Sequence, residues 1–159
     1  YGGTFENRIR LLLEVVDEVN TVLKNNIPLF VRISATDWVE KDAWDLSQSI
    51  ELVKILKEKG VDAIDVSTGA VIPDAIIPVG PGYQLPFAKG IKKEVKDILV
   101  GTVGMITNAV QAETILFNGE ADLIFFGREF LRNPYFPLSA ANELNDVIEW
   151  PLQYTRGKK

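Results

Sequence analysis

A chain of 159 residues holds a single domain with a sizeable core, and 47% hydrophobic with 25% charged residues is the balance of an ordinary soluble globular protein. The net charge of −5 argues against nucleic-acid and polybasic membrane-surface partners, and no apolar run reaches the ~20 residues of a membrane span. With no cysteine there is neither disulfide nor thiolate metal site, and with no histidine the commonest general acid/base and metal ligand is absent.

The start, YGGTFENR, is a turn-like Tyr-Gly-Gly without an initiator Met, as expected of a chain cut from something longer. Ile9, Leu12, Leu13, Val16, Val19 and Leu23 fall at helical spacing and predict an amphipathic helix over 4–23, with Thr4 and Asn7 as a loose cap. Residues 29–34 follow Pro28 and predict a buried strand whose polar residues, Arg32 and Ser34, come at its C-terminal end. A helix over 45–59 follows, stopped by Gly60, then a buried strand over 63–66 ending in Ser67-Thr68-Gly69.

Residues 71–84 are too rich in Pro and Gly for regular structure. A helix is expected over 87–95 and a strand over 98–101, which leads into Thr102-Val103-Gly104. Asn108 fits the N-cap of a helix over 109–118 that Gly119 closes. Residues 123–126 are wholly apolar strand formers, the pattern of a strand buried on both faces, and end in Gly127-Arg128. A helix over 138–144 and an extended polar tail, WPLQYTRGKK, complete the chain.

This alternation predicts an α/β fold with a parallel sheet, either an open doubly wound sheet or part of a (β/α)8 barrel. In both, ligands sit at the C-terminal ends of the strands, where Arg32, Ser67, Gly104, Gly127 and Arg128 lie. Glycine lets a backbone N–H come close to a ligand, and arginine offers a planar fork that fits phosphate. The plainer alternatives are a Gly turn with a solvated arginine, a turn-forming Ser67, and an Arg32 paired with Asp37 or Asp65. Tyr83 suits a packed loop aromatic better than a substrate contact, and Trp38 and Trp44 suit either a pocket wall or a structural role. Glu40, Asp42 and Asp45 read as a solvated acidic loop rather than a glycosidase pair.

In order along the chain, YGGTFENR, PLFVRISATDW, GVDAIDVSTGA, PGYQLPFA, TVGMI and ADLIFFGREFLRNPYF resemble the C-terminal half of the old yellow enzymes, FMN-dependent (β/α)8-barrel ene-reductases. The tail PLQYTRG is similar to that of their smaller, thermophilic-like bacterial class. The resemblance implies strands five to eight of a TIM barrel with their helices over 1–159, with 149–159 as a C-terminal extension. It implies FMN and NAD(P)H as cofactors and an activated alkene such as an enone as substrate.

It places Arg32 beside the pyrimidine edge of the flavin, and Ser67, Gly104, Gly127 and Arg128 on the FMN phosphate. Arg156 is implied to reach across a homo-oligomer interface into a neighbour's substrate pocket. The family's substrate-anchoring histidines and proton-donating tyrosine precede this stretch, so no catalytic residue is assigned here and the N-terminal half is expected as a partner. A cytoplasmic location fits. The rival reading is a non-catalytic half barrel that binds a phosphorylated ligand or serves as an assembly partner.

Overall fold

The computed structural model describes residues 1–24, 26–40, 42–69 and 71–158. Helix α1 (Phe5–Val22) is followed by strand β1 (Phe30–Ser34), α2 (Leu46–Glu58), β2 (Ala63–Ser67), α3 (Leu85–Glu94), β3 (Leu99–Thr102), α4 (Ala109–Phe117) and β4 (Leu123–Ile124). Two short helices, α5 (Arg128–Arg132) and α6 (Phe136–Glu143), and a closing 3-10 helix (Leu152–Gly157) end the chain. The four strands form one parallel sheet in sequential order, the α/β arrangement that the alternation predicts.

The helix boundaries follow local chemistry. The Thr4 hydroxyl accepts from the Asn7 N–H, Asp45 from the Gln48 N–H at 2.9 Å, and Asn108 from the Gln111 N–H at 2.8 Å. Gly60 and Gly119 stand at positive φ just past their helices, as C-terminal stops. Asp45, read as one of a solvated acidic group, is thus a cap.

The sheet has two unlike faces. Val31 and Ile33 of β1, Ile64 and Val66 of β2 and Val100 of β3 are buried against Ile9, Val16, Leu52, Val53, Leu56 and Ile91 of the helices. Removing that apolar area from water is the main term holding sheet to helices. The opposite face carries a row in register: Arg32 opposite Asp65, Asp65 opposite Gly101, Gly101 opposite Leu123. Here Gly101 is required by packing, because a Cβ on it would lie 2.1 Å from Phe125 Cε2. The Phe125 ring therefore lies over β3, next to the polar half of the row.

Three expectations need correction. The strand expected over 123–126 and buried on both faces pairs only through Leu123 and Ile124, and its residues are half-buried. β4 is an edge of this sheet, with one neighbour to pair with, so the apolar run reports a demand for cover that this chain does not itself fill. β1 alternates instead of being buried throughout: Val31 and Ile33 face the helices and are buried, whereas Phe30 and Arg32 on the helix-free face are exposed. The tail, expected extended, coils into the 3-10 helix, whose Tyr154 ring meets Tyr135 edge-on at 5.2 Å. Among the described residues no helix is long and apolar enough to cross a membrane.

Candidate functional site

All four strands deliver a residue of interest to one place. A cleft of about 390 Å³ opens at their C-terminal ends, and Arg32, Ser67, Gly104, Gly127 and Arg128 all line it. Each reaches it for a local reason. Arg32 comes up on the helix-free face of β1, Ser67 is the last residue of β2, Gly104 follows β3, and Gly127 turns the chain from β4 into α5.

Gly104 has φ +119°, and a Cβ there would meet Gln84 Nε2 at 2.7 Å and Tyr83 Cε1 at 3.0 Å. No other residue type fits without moving both neighbours. Gly127 differs: nothing lies within 4 Å of where its Cβ would be, so its backbone faces open space in the cleft wall.

Arg32 is held but not consumed. Its Nη1 pairs with Asp65 Oδ2 at 3.1 Å and its Nη2 donates to Ser67 Oγ at 3.3 Å, yet its side chain remains 59% exposed. The pairing with Asp65 is the plainer alternative weighed from the sequence, and it coexists with exposure to the cleft. Asp37, the other carboxylate considered, instead accepts the backbone N–H of Trp44 at 2.9 Å. Burial pushes the Asp65 carboxyl above the usual range, and the guanidinium beside it pulls partly back. Asp65 Oδ1 is buried and has no partner among the described residues.

Arg128 makes no salt bridge among the described residues, whereas Arg132, one turn on, pairs with Glu129 at 3.3 Å. The cleft thus offers one guanidinium without a salt bridge, two paired ones in Arg32 and Arg132, a hydroxyl and two glycine backbones, against the single lining carboxylate of Glu129. Such a set suits an anionic, phosphate-bearing group.

Two features of the site were not anticipated. Gln84, 3% exposed, accepts from the Thr68 N–H at 2.5 Å, the Thr68 hydroxyl at 2.8 Å and the Ser67 hydroxyl at 3.3 Å, and donates to the Val103 carbonyl at 2.8 Å. In the sequence it is one polar residue at the end of a Pro/Gly loop, with no sign of burial. Tyr83, read as a packed aromatic, does pack, and it also lines the cleft.

Trp38 and Trp44 do not line it. Trp38 meets Phe87 edge-on at 5.1 Å, and Trp44 stacks on Phe5 while donating to Ser49 Oγ at 2.6 Å. Arg156 is exposed in the 3-10 helix and stands apart from this cleft.

The description of one protein family, the NADH:flavin oxidoreductase / NADH oxidase family, matches residues 1–147. The chain belongs to that family. This bears out the resemblance to the old yellow enzymes, and the family's cofactors are FMN and NAD(P)H. An NADPH dehydrogenase of Geobacillus thermodenitrificans is 54% identical over 157 residues, 99% of this chain and 45% of that protein. A second, of Halalkalibacterium halodurans, is 53% identical over 98% of this chain and 45% of its own length. The chain therefore spans about half the length of the curated relatives it matches.

Among solved structures, a 2-naphthoyl-CoA reductase complex superposes with a TM-score of 0.80 at 24% identity, over 89% of this chain and 22% of that one. A 6-hydroxypseudooxynicotine amine oxidase of Pseudomonas geniculata N1 does so with 0.69 at 26% identity, over 91% and 22%. These likenesses speak to the fold of this family member.

Proposed function

We propose that this chain forms strands five to eight of a (β/α)8 barrel in an FMN-dependent NAD(P)H oxidoreductase that reduces activated alkenes such as enones. The observation that carries the reading is the convergence of Arg32, Ser67, Gly104, Gly127 and Arg128 on one cleft at the strand ends. The residues present fit FMN: Gly127 leaves open backbone, Gly104 admits no side chain, and Arg128 makes no salt bridge among the described residues, the Glu129 carboxylate in the same lining being paired with Arg132. Bound FMN would supply the relay of reducing equivalents between nicotinamide and alkene.

The chain's own residues bind and tune. Arg128 offers a two-pronged fork to the phosphate, and Ser67 adds a hydroxyl. Gly104 and Gly127 let the backbone approach the same group. Arg32, at the mouth of the barrel interior, offsets negative charge on the ring system. With no histidine in these 159 residues, an imidazole that anchors substrate has to come from outside them. The exposed edges of β1 and β4 suit pairing with the barrel's other strands, and the reading includes a cytoplasmic homo-oligomer.

The test is a flavin titration of the protein that carries this chain, with and without Arg128→Ala. Loss of charge-assisted hydrogen bonds of about 1.5–3 kcal/mol each weakens FMN roughly tenfold to a hundredfold, with little change in stability because the side chain is exposed. Equal FMN affinity in the two proteins rules out the phosphate assignment. A protein that binds phosphorylated ligands but no flavin would favour the non-catalytic half barrel.

A further inference from the structure

Asp65 is the one carboxylate in the row of residues that spans the helix-free face of the sheet. It stands in direct register with Arg32, and its Oδ2 lies 3.1 Å from Arg32 Nη1. Its side chain is only 11% exposed, whereas that of Arg32 is 59% exposed. On its other side is Gly101, which has no side chain to donate to the carboxylate and over which the Phe125 ring lies. Its second oxygen is buried without a partner among the described residues. A carboxylate so placed draws its stabilisation from one cation, and in turn fixes where that cation can point.

We infer that Asp65 is the positioning residue and counter-charge of Arg32: it holds the guanidinium toward the cleft and keeps the flavin's reduction potential below the value an unpaired Arg32 would set. This rests on the placement of Arg32 beside the flavin given above. The physical reason is additive electrostatics. A cation next to the ring favours the more negative, reduced form, and an anion a few ångströms behind that cation offsets part of its field.

The pair makes opposite signs testable in one protein. Asp65→Asn keeps an amide oxygen to accept from Arg32 and removes the charge, with an NH2 in place of the unpaired second oxygen. In the FMN-loaded protein that carries this chain, it should tighten reduced relative to oxidised FMN by about tenfold, a rise of about 30 mV in the two-electron midpoint. Arg32→Leu should lower the midpoint. Asp65→Glu, which restores the charge in a slightly larger side chain, should return the potential toward wild type, although a purely packing role would make it at least as disruptive as Asn.

Midpoints come from redox titration against a reference dye, with oxidised-FMN affinity measured alongside. If Asp65→Asn does not fold, Asp65→Ser removes the same charge and is read in the same way. A fall with Arg32→Leu and no rise with Asp65→Asn or Asp65→Ser overturns the role of Asp65 while leaving Arg32 at the flavin. No movement with any of these variants overturns both, because Arg32 is then not at the flavin.

Discussion

Gln84 Nε2 donates to the Val103 carbonyl at 2.8 Å, joining the loop before α3 to the chain just beyond β3. The same side chain's oxygen accepts from the Thr68 N–H and hydroxyl at the end of β2. One buried amide therefore sets the distance between two strand ends, and with it the spacing of Ser67 and Gly104 in the cleft. It also explains why Gly104 has no room for a Cβ: the amide nitrogen is already there.

Gln84→Leu should leave the buried Thr68 N–H and the half-buried Val103 carbonyl without their partner. At about 1–3 kcal/mol for each unsatisfied group, the folded state loses roughly 2–6 kcal/mol. Equilibrium denaturation with urea measures this, and a loss under about 0.5 kcal/mol would show that both groups find other partners.

Asp65 should leave a mark on the pH dependence of stability. Its carboxyl titrates higher in the folded protein than in the unfolded chain, because burial outweighs the attraction of Arg32. The folded state thus holds the proton more tightly, and Asp65 costs stability as pH rises from the ordinary aspartate range through its raised folded value. Asp65→Asn removes that penalty. The stability of the variant relative to wild type should increase with rising pH across this window and level off above it. A difference that shrinks as pH rises would mean that Arg32 governs the carboxyl instead.

How much of this was legible in the sequence differs by kind of interaction. The helices were readable because their signals are local: caps at Thr4 and Asn108, stops at Gly60 and Gly119, apolar spacing from Ile9 to Leu23. The strand ends were readable because a parallel sheet brings its C-terminal ends together, so Arg32, Ser67, Gly104, Gly127 and Arg128 needed only the topology to meet.

What depends on partners across the fold was not readable. Gln84 looks like any loop residue until Thr68 and Val103 are placed around it. Residues 123–126 carry the composition of an interior strand, while this chain gives β4 only β3 as a neighbour, so composition overstates its burial. The tail was expected extended because its composition is polar, and the Tyr135–Tyr154 contact that accompanies its 3-10 coil joins residues 19 apart.

Gly101→Ala tests the packing under the cleft. The added methyl would sit 2.1 Å from Phe125 Cε2 and 2.7 Å from Cδ2, so the ring must leave its place over β3. Overpacking of this kind costs about 1–3 kcal/mol. Pairing the change with Phe125→Leu should recover part of the loss, because the smaller side chain vacates the colliding position. Two independent losses that simply add would show that the ring and the glycine are not coupled.

Arg156 lies outside the cleft and is expected to act on another subunit's pocket. The 3-10 helix Leu152–Gly157 holds it exposed, away from the cleft formed by the other candidate residues. Within one subunit it has no role at that site. The segment around it is nonetheless shaped: Tyr154 meets Tyr135 edge-on at 5.2 Å with their hydroxyls 3.3 Å apart, and a groove of about 520 Å³ lies between α6 and the tail. Exposed on that tail, the guanidinium is open to contact with another molecule. The expectation is that Arg156 completes the substrate pocket of a neighbouring subunit in a homo-oligomer. Arg156→Ala should then raise KM or lower kcat with FMN content nearly intact. Mixing it with a variant inactivated in the N-terminal half should give hybrid oligomers whose activity departs from the average of the two parents. Tyr154→Ala should imitate Arg156→Ala, because it removes the ring that seats the tail. Wild-type kinetics for Arg156→Ala, or hybrids whose activity follows the simple average, would exclude a cross-subunit role.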